Sequence, residues 1–116
     1  MKLTTLAKKL KAIKNRNPYL NVLGCCNDNY YYLEQFHTFS LLNRLHGYFQ
    51  LTKSPNNHTT VHSLIIEIED LVVLFSHYPD LMMVAPQLNL IKRDSTRPLK
   101  FLELSYNVEY NTIILE

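Results

Sequence analysis

Apolar residues recur along this chain at two periods, three-to-four and two, and the switches between them mark out its elements. Leu3, Leu6, Ala7, Leu10 and Ile13 fall at helical spacing and predict an amphipathic helix over residues 3–14. Lys8, Lys9 and Lys11 occupy its other sides. Lys14 and Arg16 lie near its end, where the negative pole of the backbone dipole favours cations, and Asn15, Asn17 and Pro18 stop it.

Two runs rich in aromatic and apolar residues, Tyr19 to Cys26 and Tyr30 to Phe36, flank Asn27-Asp28-Asn29, whose short polar side chains favour turn conformations, so a β-hairpin is expected. Strand alternation puts Tyr30, Tyr32 and Glu34 on one face and Tyr31, Leu33 and Gln35 on the other. From Phe39 to Leu51, Leu41, Leu42, Leu45, Tyr48 and Phe49 return to helical spacing, with Thr38 or Ser40 as N-cap. A helix is expected there, although Gly47 inside it costs about 1 kcal/mol relative to alanine. Lys53 to His58, containing Ser-Pro-Asn-Asn, reads as a loop.

The most regular pattern is Val61, Leu64, Ile65, Ile68, Leu71, Val72 and Phe75, which predicts a core helix over residues 60–77 capped by Thr59 or Thr60 and ended by Pro79. Glu67, Glu69 and Asp70 form a solvated acidic edge on it. Beyond it, Leu81 to Ala85, Leu88 to Lys92, Leu99 to Ser105 and Val108 to Leu115 are short apolar runs separated by turn residues. They predict an antiparallel β-meander packed on the long helix. The expected fold is therefore α+β, one compact domain over residues 1–116: N-terminal helix, hairpin, two central helices and meander.

Charge changes this picture only locally. The net formal charge is +2, yet six of the twelve basic side chains lie in the first sixteen residues (Lys2, Lys8, Lys9, Lys11, Lys14, Arg16). Any electrostatic partner is thus met by one surface. Cys25 and Cys26 are adjacent, a poor geometry for a disulfide, so free thiols and a cytoplasmic setting are expected. Neither a secretory h-region nor an apolar run long enough to span a bilayer occurs, and no membrane partner is expected. Eleven Asn and eight Tyr, against two Gly, three Ala and no Trp, form the set that AT-rich codons supply, which points towards phage or mobile-element genomes.

Candidate chemistry is thin. His58 and His62 stand four apart, but His58 precedes the helix and no acidic residue lies between them, so no metal site is expected. Cys25 or Cys26 with a histidine would make a nucleophile and base, but strand neighbours point to opposite faces and no glycine-rich turn supplies an oxyanion donor. Glu67, Asp70, Asp80 and Glu103 lack the acidic-x-Lys tripeptide of a metal-dependent nuclease. Two glycines, Gly24 and Gly47, cannot build a phosphate loop or a dinucleotide fingerprint. No catalytic residue and no cofactor are assigned.

Binding is what remains. A lysine-rich outer face is in its simplest form a solubility device. Beyond that, the expected function is a small non-catalytic adaptor or inhibitor that occludes a larger protein, with Tyr30 and Tyr32 as anchors and Lys8, Lys9 and Lys11 steering the approach. The alternative is nucleic-acid binding, in which Lys8, Lys9 and Lys11 join Lys92, Arg93, Arg97 and Lys100. Self-association across a two-fold axis is compatible with either.

Overall fold

A computed structural model describes residues 1–53, 58–91 and 99–116 as two helices and a six-stranded mixed sheet. The helix α1 (Leu3–Lys14) forms where its spacing predicts, with Leu3, Leu6, Ala7 and Leu10 buried and Lys11 and Lys14 in its last turn. The helix α2 (Val61–Leu74) begins at a capping box: the Thr60 hydroxyl accepts from Ser63 N, and Ser63 Oγ accepts from Thr60 N. Val61, Leu64, Ile65 and Ile68 of α2 share one core with Leu6 and Leu10 of α1.

The strands β1 (Asn21–Cys26) and β2 (Asn29–Leu41) form the expected hairpin. Asn27 and Asp28 adopt φ of 52° and 64°, a left-handed pair whose twist matches the strands it joins. β2 then departs from expectation by continuing to Leu41. The segment read as a helix over 39–51 is strand: β3 (Arg44–Thr52) returns along β2 after a second left-handed pair, Leu42 and Asn43 at 51° and 61°. β3 is buried on both faces, with His46, Gly47, Tyr48 and Phe49 consecutively enclosed, so the alternation that would identify a strand is erased.

Gly47 explains itself in this setting. A Cβ on it would stand 2.5 Å from Cζ of Phe36, whose ring lies across the glycine from the neighbouring strand. Phe36 in turn meets Phe49 and Phe75 at ring separations of 5.5 and 5.9 Å, which ties the hairpin to the end of α2.

The C-terminal meander is also corrected. The short strand β4 (Met82–Met83) runs parallel to β3, because α2 carries the chain back as a crossover between them. The strands β5 (Leu104–Asn107) and β6 (Thr112–Leu115) are antiparallel to each other, but β6 lies parallel to β1 at the other side of the sheet. The order is β4-β3-β2-β1-β6-β5. Residues ahead of β5 link the two ends: Ala85 N donates to Lys100 O, Leu102 N to Met83 O, and Glu103 and Glu116 exchange both backbone bonds. The sheet thus curls around the core of Val22, Leu33, Phe49, Leu51, Met83, Ile113 and Leu115, with both helices on that side. Past β4 the chain follows β3 as far as Gln87, whose N donates to Phe49 O, and Ile91 N then reaches the Tyr48 hydroxyl at 3.1 Å.

Gly47→Ala is expected to destabilise the fold by about 1–3 kcal/mol, since Phe36 must leave its place against Phe49 and Phe75. Chemical denaturation measures this; an unchanged midpoint would contradict the packing. Thr60→Ala, which removes the α2 cap, should cost about 1 kcal/mol by the same assay.

Candidate protein-interaction surface

Among the expected anchors, Tyr30 stands at the start of β2, immediately after the first turn, and half of its side chain is exposed. Its hydroxyl accepts from Asn107 Nδ2 at 3.2 Å, and its ring meets Tyr110 edge-on at 6.5 Å. Asn107 opens the β5–β6 loop and also accepts from Tyr110 N, while Asn111 closes the loop at a φ of 50°. Tyr106 donates its hydroxyl to Asn111 Oδ1. Tyr30 and Tyr110 are thereby held as an exposed pair beside Asn107, Tyr110 at 63%, whereas Tyr106, paired with core-facing Ile113, projects from the other face of the sheet.

Tyr110 is not legible in the sequence because Val108 begins an apolar run that looks like strand. The signal was the pair Asn107 and Asn111, whose side chains and left-handed tolerance build the loop.

Tyr32 is less available. It is half-buried, packs edge-on against His58 at 5.6 Å, and lines a shallow cleft of about 160 Å³ with Asn21, Leu23, His58 and Thr112. That volume is well below what a drug-sized ligand needs. Tyr31 points the other way and packs against the core.

The expected charge partners lie elsewhere. Lys8 and Lys9 are exposed on α1, which packs on the Tyr31 and Leu33 side of β2, whereas Tyr30 and Tyr32 occupy the opposite side. Lys11 is engaged with Glu69 of α2 at 3.3 Å, and Lys2 with Asp80 at 3.1 Å, both as exposed pairs worth little to stability. The sheet therefore separates the lysines from Tyr30 and Tyr32. Lys100 is exposed; Lys92, Arg93 and Arg97 lie outside the described residues, as does the Ser54 to Asn57 part of the expected loop.

Both cysteines are free and half-buried, on opposite faces of β1. Burial pushes the Cys25 thiol above its ordinary value, and the carboxylates of Glu116 and Asp28 add to it. Among the described residues no three His, Cys, Asp or Glu side chains gather as metal ligands, and no helix is long and apolar enough to cross a membrane. Comparison with known proteins returns no matching family, curated protein or solved structure.

A raised pKa leaves less thiolate at neutral pH, so Cys25 should alkylate with iodoacetamide at pH 7 more slowly than free cysteine, catching up only as the pH climbs. Reaction faster than free cysteine would contradict that environment and revive a nucleophilic thiol.

Proposed function

We propose that this chain is a non-catalytic protein-binding module that acts as an adaptor or inhibitor by covering a surface of a larger protein. The observation that carries the reading is the exposed pair Tyr30 and Tyr110, in edge-on ring contact and both hydrogen-bonded to Asn107. Tyrosines held in place before contact lose little side-chain entropy on binding, and each offers an apolar ring with a hydroxyl that stays satisfied. Tyr32, half-buried against His58 on the same side of β2 as Tyr30, offers less surface to a partner.

Lys8, Lys9 and Lys11 have a different part in this reading. Placed across the sheet from the tyrosines, they act through the long-range field on encounter rather than as contacts. The same separation disfavours the nucleic-acid alternative, since single-strand binding sites combine basic groups and stacking rings in one groove.

The test is affinity capture from cells of the source with the wild-type chain and with Tyr30→Ala/Tyr110→Ala, followed by binding measurements on the captured protein. The double variant should weaken that complex by at least about tenfold while leaving thermal stability nearly unchanged, as befits two interface tyrosines. Lys8→Ala/Lys9→Ala should slow association and reduce its salt dependence without comparable effect on dissociation. An unchanged dissociation constant in the tyrosine variant would remove the patch as the anchor. Tight, salt-sensitive binding of mixed-sequence DNA or RNA would transfer the function to nucleic acid.

A further inference from the structure

β2 has one neighbour for most of its length. It pairs with β1 only at Asn29, Tyr30 and Tyr31, and with β3 from Tyr32 to Leu41. Between Leu33 and Phe36 the β3 register shifts, as two β2 residues, Glu34 and Gln35, stand opposite Gln50. Beyond that bulge β1 has already turned to another partner: Val22 N donates to Thr59 O, and Asn21 bridges Thr60.

The direction of each backbone group on this stretch follows from the turn. A two-residue left-handed turn closes on a pair that exchanges both hydrogen bonds, here Leu41 and Arg44, and such pairs then alternate along the ladder. Leu41, Phe39 and His37 therefore direct their N–H and C=O groups to β3. Phe36, Thr38 and Ser40 direct theirs outwards, where no backbone partner meets them among the described residues. Thr38 and Ser40 are exposed. Natural edge strands are usually blunted by lysine or proline, and neither occurs between Glu34 and Leu41.

We propose that this edge pairs with the same edge of a second copy, in antiparallel register about a two-fold axis at Thr38. The register is set by the outward groups themselves. Thr38 pairs with the partner subunit's Thr38 and Phe36 with the partner subunit's Ser40, and every outward N–H and C=O of the three residues finds a mate. A one-residue slip would present inward-bonded groups to outward ones.

The side chains agree with that register. Gln35 to Leu41 carries no formally charged group, so an antiparallel copy meets no like charge. On the sheet's outer face His37 stacks on Tyr48 at 5.6 Å and Phe39 on His46 at 5.2 Å. The two-fold places His37 opposite the partner subunit's Phe39 and joins the two aromatic rows into one. On the helical side Phe36 touches Phe75, and Val73, Leu74 and Tyr78 around Phe75 are exposed, which gives the edge an apolar flank. None of the residues of this pairing belongs to the tyrosine patch, so the dimer stands or falls apart from the proposed function.

The test is sedimentation equilibrium of the full chain over a wide concentration range. The wild type should assemble to a dimer and no further. Thr38→Pro deletes only an outward N–H, leaving every β2–β3 bond in place, and should be a folded monomer by circular dichroism. Should that variant fold poorly, Thr38→Lys and Thr38→Glu serve instead: each alone should be monomeric because residue 38 faces itself, and an equimolar mixture should recover a heterodimer. A wild type that remains monomeric throughout, or a dimer that survives both Thr38→Pro and Thr38→Lys, would overturn the proposal.

Discussion

The division of β2 between two neighbours is the constraint on which the rest of this structure depends. Three residues of it serve β1 and the remainder serve β3, with the bulge at Glu34 and Gln35 marking the change. Once β2 has left, the start of β1 must find other partners for its backbone, and it finds them in Thr59 and Thr60. That contact fixes where α2 begins, since Thr60 is also its cap. The crossover through α2 then delivers β4 parallel to β3, and the remaining chain carries the sheet round until Leu102 and Met83 meet. Both glycines leave room for a side chain from another strand, Gly24 for Leu51 and Gly47 for Phe36.

Those events explain which parts of the fold could be read in advance. α1, α2 and the first hairpin each have one buried face and one wet one, so period and boundary residues stand out: Thr60 before α2, Asn27 with Asp28 in the turn. β3 has no wet face over His46 to Phe49, and Leu41, Leu42 and Leu45 happen to fall at helical spacing. Gly47, which counted against a helix, was the available clue. Misplacing β3 as a helix also hid the crossover, because a strand, a helix and a strand in succession would have announced a parallel pair. β6 beside β1 is a different case. It joins residues from opposite ends of the chain, and no local pattern encodes such a pairing.

The candidate surface shows the same limit. Tyr30 is legible because strand alternation sets it on one face of an aromatic run, while its companion Tyr110 depends on β5 and β6 arriving at the far side of the sheet. The lysines were legible as a cluster but not as a location. Alternation assigns Tyr30 to a face of β2; only the packing of α1 on the other face shows that charge and aromatic rings are kept apart. The tyrosine pair proposed for a partner and the β2 edge proposed for a second copy are thus separate surfaces.

The measurement that bears most directly on this account is residue-resolved amide hydrogen exchange along β2 at low and high protein concentration. His37, Phe39 and Leu41 should exchange slowly at both, while Phe36, Thr38 and Ser40 should exchange fast when dilute and become protected when concentrated. Equal protection of all six amides at every concentration, or none at any, would contradict both the division of β2 and the pairing built on its free edge.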